Sequence, residues 1–207
     1  MAMETELKLA LNEADIERLR THPLLQGAVA EGRQWLRNTY YDSPDLALAR
    51  ARVALRLRYQ GERIIQTLKT RGQSVNGLHQ RGEWEWDLSR DALAPEYLSA
   101  SIWPTELPPA ETLALQPVFT TDFERECWQL DHAGAAIEVA LDQGWIRCGT
   151  SAVQDAILEL ELELKSGPAE ALLSLAQALS SEVTLTPFDD SKAQRGYRLF
   201  QHGQDQN

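Results

Sequence analysis

The feature that most constrains the fold is a strict alternation of polar and apolar residues, repeated along the chain. Residues 158–165 show it most clearly, as Leu-Glu-Leu-Glu-Leu-Glu-Leu-Lys. Because successive side chains of a β-strand point to opposite faces, this period of two predicts strands with one charged and one apolar face. Six segments follow the pattern: residues 4–9, 52–59, 63–69, 81–88, 136–142 and 158–165. Two less regular strands, predicted near residues 123–130 and 145–149, bring the number to about eight.

Short links between some of these segments predict antiparallel hairpins. Gln60-Gly61-Glu62 separates two predicted strands, and Gln143-Gly144 separates two more. Links of this length join antiparallel neighbours, because parallel strands need a long crossover. The sequence therefore predicts an antiparallel sheet.

Helices are predicted between the strands. One runs from Asn12 to about His22, with acidic residues in its first turn, and a leucine-rich one follows Pro168. Two weaker helical segments are predicted near residues 95–102 and 190–200. About eight strands with a few helices predict an α+β fold.

Composition excludes several classes of protein. With 43% hydrophobic residues in a chain of 207, the protein is not a disordered chain, and its apolar runs are too short to span a bilayer. No secretory signal is visible at the start of the sequence, and two cysteines, Cys127 and Cys148, suit a reducing cytoplasm. The net charge of −11 argues against a nucleic-acid partner, but not against a small anionic ligand.

The charged faces of the predicted strands allow two arrangements. Taken strand by strand, they fit the solvent side of an open sheet. Two features favour a closed sheet instead. Glu-Xaa-Glu recurs in three strands, whereas Arg-Leu-Arg occurs only at residues 56–58. In addition, the leucine-rich helix needs an apolar surface, so helices outside the sheet would turn the charges inward. We therefore predict a closed sheet with a charged, hydrated interior.

Such an interior is suited to polyphosphate chemistry. Carboxylates from facing strands form all-oxygen sites, which select Mg²⁺ or Mn²⁺ over softer metals. Arginine binds phosphoryl oxygens in bidentate fashion, and lysine binds them as a point charge. A divalent metal and basic side chains around a polyphosphate are the usual apparatus of phosphoryl transfer.

Five motifs in order along the chain resemble those of the CYTH superfamily, the triphosphate tunnel metalloenzymes. They are Glu4-Thr5-Glu6-Leu7-Lys8, Tyr40-Tyr41-Asp42-Ser43-Pro44-Asp45, Leu55-Arg56-Leu57-Arg58, Thr67-Leu68-Lys69 and Ser191-Lys192-Ala193-Gln194-Arg195-Gly196-Tyr197. Residues 77–81 and 121–126 are most similar to bacterial inorganic triphosphatases of that group. The resemblance implies an eight-stranded antiparallel closed β-barrel, the triphosphate tunnel, with helices packed outside. It would occupy residues 1–202, with a polar tail at 203–207.

The resemblance also implies an activity and a site. The activity is hydrolysis of tripolyphosphate to pyrophosphate and phosphate with Mg²⁺ or Mn²⁺, as two ions. The implied metal ligands are Glu4, Glu6, Asp142, Glu159, Glu161 and Glu163, with Glu159 and Glu161 favoured among the last three. The implied substrate-binding bases are Lys8, Arg56, Arg58, Lys69, Arg125 and Lys192. The residues expected to act in catalysis are Glu4, Glu6, Lys8, Asp142, Glu159 and Glu161.

Alternative functions remain open on the same fold. They are a class IV type adenylate cyclase, a thiamine triphosphatase, and a non-catalytic module that binds polyphosphate; a nucleoside triphosphate is an alternative substrate. No membrane partner is predicted. Bacterial members of the group often carry a C-terminal CHAD domain that binds polyphosphate, whereas this sequence ends at Asn207. The chain is therefore expected to be either a stand-alone enzyme or part of a longer parent chain.

Overall fold

The alternating segments form one antiparallel sheet that closes on itself. The computed structural model describes residues 2–149 and 153–204. Its strands are β1 (Ala2–Leu11), β2 (Val29–Asp42), β3 (Ala54–Gln60), β4 (Arg63–Lys69), β5 (Gln73–Val75), β6 (Leu78–Leu88), β7 (Gln116–His132), β8 (Ala135–Arg147), β9 (Gln154–Ser166) and β10 (Leu185–Pro187). Its helices are α1 (Ile16–Thr21), α2 (Pro23–Gln26), α3 (Ala47–Arg50), α4 (Glu170–Leu179) and α5 (Lys192–Gln204).

Eight strands make the closed sheet, in the order β1-β9-β8-β7-β2-β3-β4-β6. The first half of β1 pairs with β6, with Glu4 opposite Arg81 and Leu7 opposite Leu78, and this pairing closes the ring. The short strands β5 and β10 add to the edges of β6 and β1. The predicted α+β fold, an eight-stranded antiparallel closed β-barrel with helices outside, is confirmed.

One of the two predicted hairpins is correct. The chain turns at Gly61, whose φ of +58° suits glycine, and Gln60 pairs with Arg63. The hairpin predicted at Gln143-Gly144 is wrong, because β8 runs unbroken through both residues between β7 and β9. A Cβ atom on Gly144 would lie 2.2 Å from the carbonyl oxygen of Asp122. The glycine therefore permits close approach of a neighbouring strand instead of making a turn.

Strand β2 was missed by the sequence analysis. Its sequence places apolar or aromatic residues side by side, as at Trp35-Leu36 and Tyr40-Tyr41, which hides the period of two. The pairing with β7 also shifts register between Ala30 and Gly32 and between Tyr40 and Tyr41. The predicted number of about eight equals the number of strands in the closed ring, because β2 was overlooked while β8 was divided into two; the short edge strands β5 and β10 were not predicted.

The helices agree in part with the prediction. The first predicted helix is a 3₁₀ turn, Glu13–Asp15, followed by α1. The helix predicted after Pro168 is α4, and the one predicted near residues 190–200 is α5. The segment 95–102 forms only a 3₁₀ turn, Pro95–Tyr97. It lies in the long connection from β6 to β7, whose side chains pack on the sheet without a continuous helix.

The apolar faces of the strands point outward and are covered. Leu172 and Leu175 of α4 lie in one core with Leu7, Leu160 and other residues of β1, β8 and β9. On another side, Trp103 of the long connection is buried against the outer face of β3 and β4. This packing leaves the charged faces inside the ring. Within residues 2–149 and 153–204, no helix combines the length and the apolar character needed to cross a membrane.

Helix α5 covers one end of the barrel. It packs against β7, β8 and β9, and its first residues, Lys192 and Ala193, line the interior. Tyr197 sits edge-on to Phe119 of β7, with ring centroids 5.1 Å apart. At the other end, Glu31 and Lys165 line the cavity and are exposed. We call these the α5 end and the open end.

Candidate active site

The inward faces of the strands surround a cavity of about 470 Å³. The alternation of β1 shows how the sequence builds it. Glu4, Glu6 and Lys8 line the cavity, whereas Leu7 and Leu9 belong to the outer core. The ionisable residues that line the cavity are Glu4, Glu6, Lys8, Glu31, Arg56, Arg58, Lys69, Arg81, Glu83, Glu85, Arg125, Glu138, Glu161, Glu163, Lys165 and Lys192. The charged side chains thus converge on the interior, as expected for a closed sheet.

Near the α5 end, three carboxylates form a compact group, the carboxylate triangle of Asp142, Glu159 and Glu161. One oxygen from each lies within 4.8 Å of the others. Asp142 of β8 stands opposite Glu159 of β9, and Glu161 follows two residues later on the same face. Asp142 and Glu159 are 0% and 1% exposed, so the triangle is shielded from bulk water.

Basic side chains surround the triangle. Arg125 donates two hydrogen bonds of 2.7 Å to Asp142 and also contacts Glu161. The Nζ atom of Lys192 donates to Asp142 at 2.6 Å, to Glu161 at 2.9 Å and to Glu159.

Two further cations, Lys8 and Arg195, reach Glu159, and Lys8 also acts on the ionisation of Glu161. The Nζ of Lys8 lies 2.9 Å from Glu159, and Nη1 of Arg195 lies 3.4 Å from it. Burial alone would raise the pKa of Glu161, but Lys192, Arg125 and Lys8 outweigh burial and hold that pKa well below its ordinary value. Glu161 is therefore ionised, and its charge is compensated by these bases.

A second acidic group, the β1–β6 acids, comprises Glu4, Glu6 and Glu83. Arg81 donates to Glu4 at 2.8 Å and to Glu6 at 3.0 Å. The Nζ of Lys69 donates to Glu4 at 2.7 Å and lies 3.2 Å from Glu83. Among the described residues, the ion pairs of these three carboxylates are made with Arg81 and Lys69.

The β1–β6 acids differ in their ionisation. Burial, together with the charges of Glu4 and Glu161, raises the pKa of Glu6 to about 7. Burial also acts to raise the pKa of Glu4, but Lys69 and Arg81 outweigh it and hold that pKa well below the ordinary value. The pKa of Glu83 is raised, mainly by burial. Glu6 is therefore the least compensated carboxylate of the group.

Opposite the acids, Arg56 and Arg58 of β3 form an arginine pair. The Nε atom of Arg56 is buried and has no hydrogen-bond partner among the described residues, and Arg56 donates to the hydroxyl of Tyr40 at 3.3 Å. Burial and the nearby charges of Arg56 and Arg125 lower the pKa of Arg58 to about 10. Burial acts to lower the pKa of Arg56, but Tyr40, Glu83 and Glu85 outweigh it and raise that pKa, and Glu85 lies 3.9 Å away. Arg58 is therefore the less compensated of the two arginines and is suited to bind an anion.

The remaining predicted ligand lies apart from the triangle. Glu163 stands opposite both Glu6 and Glu138 and pairs with Lys165 at 2.9 Å, toward the open end. The structure thus brings Glu159 and Glu161 together with Asp142, and places Glu163 near Glu6. The other predicted site residues all line the cavity.

Two residues near the site were overlooked in the sequence. Arg195, three residues after Lys192 on α5, contacts Glu159 and donates to Asp155 at 2.9 Å. The spacing of three on a helix was the available signal. Tyr40, to which the sequence analysis gave no role in the site, accepts the hydrogen bond from Arg56 and stacks on Phe119 with ring centroids 4.5 Å apart.

The donor set of the triangle is suited to a hard divalent cation. Three carboxylates supply only oxygen ligands, which magnesium and manganese prefer. The cationic groups of Lys8 and Lys192 already contact these oxygens, which shows that the triangle attracts positive charge.

Comparison with known proteins identifies the family. The CYTH domain family matches residues 2–197, so this chain belongs to the CYTH family. It is 37% identical over 199 residues to an inorganic triphosphatase from Haemophilus influenzae, and the match covers 96% of this chain and 55% of that protein. The chain therefore spans about half the length of this curated relative. The predicted family is confirmed.

Solved structures share the fold at low sequence identity. A Hippeastrum protein with a dominant triphosphatase activity superposes with a TM-score of 0.66 at 16% identity, covering 97% of this chain and 96% of that one. The PH1819 protein of Pyrococcus horikoshii gives 0.61 at 17% identity, with 94% and 98% covered. A mimivirus capping-enzyme triphosphatase gives 0.54 at 13% identity, with 88% and 90% covered. These likenesses establish the tunnel fold.

Proposed function

We propose that this protein hydrolyses inorganic triphosphate to pyrophosphate and phosphate, with Mg²⁺ or Mn²⁺, inside the cavity. The observation that carries the proposal is the arrangement of charges in one enclosed space. Arg58, whose charge is incompletely compensated, shares the cavity with Arg56 and with clustered carboxylates. A polyanion would neutralise the arginines, and divalent cations would join it to the acids. The name of the Haemophilus influenzae relative points to the same activity.

The proposed roles follow the placement of the residues. Arg56, Arg58, Lys69 and Arg125 would hold the phosphate chain, helped by Lys8 and Lys192. Two cation sites would be formed by Glu4, Glu6, Asp142, Glu159, Glu161 and Glu163. A bound divalent cation would polarise phosphoryl oxygens and lower the pKa of bound water. The basic groups would stabilise the charge that develops on the leaving pyrophosphate.

A cavity-lining glutamate is a better proton acceptor for the attacking water than Asp142. Both oxygens of Asp142 already accept hydrogen bonds, from Arg125 and Lys192, and its side chain is fully buried. Glu6 also lines the cavity, but it is a proposed cation ligand, and a carboxylate that holds a cation is not free to take up the proton. We therefore assign the acceptor role to a cavity-lining glutamate outside the proposed cation ligands instead of Asp142.

A direct assay tests the proposal and its alternatives. Phosphate release would be measured from tripolyphosphate, ATP and thiamine triphosphate with Mg²⁺ or Mn²⁺, alongside a test for cyclic AMP. We expect tripolyphosphate to be hydrolysed fastest and no hydrolysis in EDTA. Cyclic AMP formation would instead indicate a cyclase, and preference for thiamine triphosphate would indicate a thiamine triphosphatase. Tight binding of tripolyphosphate without turnover would indicate a binding module.

The extent and surroundings of the domain stay predictions. They include the limits of 1–202 and 203–207, the cytoplasmic location, and a CHAD domain in a longer parent chain. Residues 205–207 of the predicted tail lie outside the described residues, and Gly203 and Gln204 belong to α5.

A further inference from the structure

A single ammonium group lies among all three carboxylates of the triangle. The Nζ of Lys192 donates to Asp142 at 2.6 Å, to Glu161 at 2.9 Å and to Glu159. A divalent cation held by the triangle would need oxygens of the same carboxylates. The ammonium of Lys192 and a metal ion therefore compete for one place, because two cations this close in a buried site repel strongly.

Lys192 is attached differently from the other bases of the triangle. Lys8 and Arg125 project from β1 and β7, which are fixed on both sides in the closed sheet. Lys192 is the first residue of α5, and it reaches the triangle from the end of the barrel. Its backbone is therefore outside the network of strand pairing, so its long side chain can turn without disturbing the sheet.

The ammonium of Lys192 lies at the edge of the cavity. Lys192 lines the cavity, and its Nζ is 5.0 Å from the ring of Phe123. Its charge also acts on the hydroxyl of Tyr40, which accepts the hydrogen bond from Arg56. Turning away from the carboxylates would thus bring the ammonium toward the arginine pair, where the substrate anion is proposed to bind.

We propose that Lys192 is a displaceable internal cation that couples metal binding to anion binding. In the metal-free protein it neutralises the triangle. When a divalent cation takes the triangle, the ammonium turns to the phosphate chain. This inference rests on the proposed metal site. If the inference holds, the divalent cation strengthens the binding of the anion and the anion strengthens the binding of the cation by the same factor, because coupling between two sites is reciprocal.

The test compares Lys192→Met with the unchanged protein. Methionine keeps the apolar stem beside Phe123 and removes the charge. Mn²⁺ binding without phosphate, followed by electron paramagnetic resonance, should tighten about tenfold because the competing charge is gone. Binding of pyrophosphate, used as the anion probe, should change less than about twofold without metal. It should weaken about tenfold at saturating Mn²⁺, where Lys192 has turned to the anion.

Arg63→Met is the control. Arg63 carries the same charge, but it is exposed and pairs with Asp87, which is not among the proposed cation ligands. We expect the Mn²⁺ affinity of Arg63→Met to differ less than about twofold from that of the unchanged protein. If the unchanged protein binds Mn²⁺ and hydrolyses triphosphate, equal Mn²⁺ affinities of the two variants would overturn the inference about Lys192 and leave the proposed function standing. Failure of the unchanged protein to bind Mn²⁺ would overturn the proposed metal site as well.

A second measurement needs no substitution. Acetylation of Lys192 by a water-soluble reagent can be followed by peptide mass spectrometry, with and without Mn²⁺. The inference predicts faster acetylation with Mn²⁺, because the ammonium leaves three carboxylates that hold it. Unchanged or slower acetylation would contradict it, even if Lys192→Met does not fold.

Discussion

The carboxylate triangle and the β1–β6 acids contain the same number of carboxyl groups inside one barrel, but their surroundings differ. Four bases contact the triangle, namely Lys8, Arg125, Lys192 and Arg195. Two bases, Lys69 and Arg81, contact the β1–β6 acids within the described part of the chain. The pKa of Glu161 in the triangle is accordingly held well below its ordinary value, whereas that of Glu6 rises to about 7.

This difference shows that a Glu-Xaa-Glu pattern does not determine its own electrostatics. Both groups arise from alternating strands of similar sequence. The triangle receives two of its bases, Lys192 and Arg195, from α5, whereas the bases that pair with the β1–β6 acids within the described residues come from β4 and β6. We therefore expect substitutions in the triangle to cost more stability than a substitution of Glu6.

The largest effect is expected from Glu4→Gln combined with Glu6→Gln. Turnover of tripolyphosphate should fall about a thousandfold or more, because two proposed ligands lose their charge. The free energy of unfolding should change by less than about 2 kcal/mol, because the loss at Glu4, which leaves Lys69 and Arg81 without a partner, is offset by the gain at Glu6. Phosphate-release kinetics and urea denaturation would measure both quantities. Near-normal hydrolysis by the double variant would remove these residues from the metal site.

Asp142→Asn should mainly reduce stability. It leaves Arg125 and Lys192 without their fully buried partner, and breaking a buried ion pair in this way costs about 3–5 kcal/mol. Urea denaturation without metal would measure the loss. Asp87→Asn, which breaks an exposed pair with Arg63, is the control and should cost less than about 1 kcal/mol. Equal costs would show that the triangle has no special structural role.

The pKa of Glu6 predicts a dependence of stability on pH in metal-free protein. A raised pKa means that the folded protein binds the proton more tightly than the unfolded chain does. The Glu6 contribution therefore favours folding at low pH and is lost as the pH rises from about 4.5 to about 7. As the pH rises across this window, the free energy of unfolding of Glu6→Gln should increase by about 2–4 kcal/mol relative to that of the unchanged protein. A constant difference between the two proteins would contradict the assignment.

Glu161→Gln should show the opposite trend. Its lowered pKa means that the carboxylate stabilises the fold above pH 4.5, and that this contribution is lost as the pH falls through the folded-state pKa. Paired denaturation series of Glu6→Gln and Glu161→Gln would thus sharpen the contrast between the two acidic groups.

The smallest effect concerns the arginine pair. Arg58→Met should weaken pyrophosphate binding about ten- to a hundredfold, because it removes one charge that lacks full compensation. Stability should hardly change, since repulsion from Arg56 and Arg125 is relieved. Arg37→Met, on the exposed face of β2, is the control, and calorimetric titration is the measurement. Equal affinities of the two variants would place the anion elsewhere.

The sequence by itself determined the alternation, and with it the strands and their two faces. Glu4, Glu6 and Lys8 share a face because a strand allows nothing else. The apolar positions and the leucine-rich α4 also made the closed sheet the better interpretation. Local sequence could not determine β2 or the continuity of β8, because β2 contains irregular pairing and Gly144 looks like a turn until its neighbouring strands are known.

Only the tertiary structure decided which charges meet. Asp142 and Glu159 become neighbours through the register of β8 and β9, and Lys192 joins them because α5 returns to the end of the barrel. The glutamates of both acidic groups lie in similar alternating sequences. The pKa of each glutamate nevertheless depends on charged partners that are distant in the chain. Such partners depend on the three-dimensional path of the whole chain, which short-range periodicity does not encode.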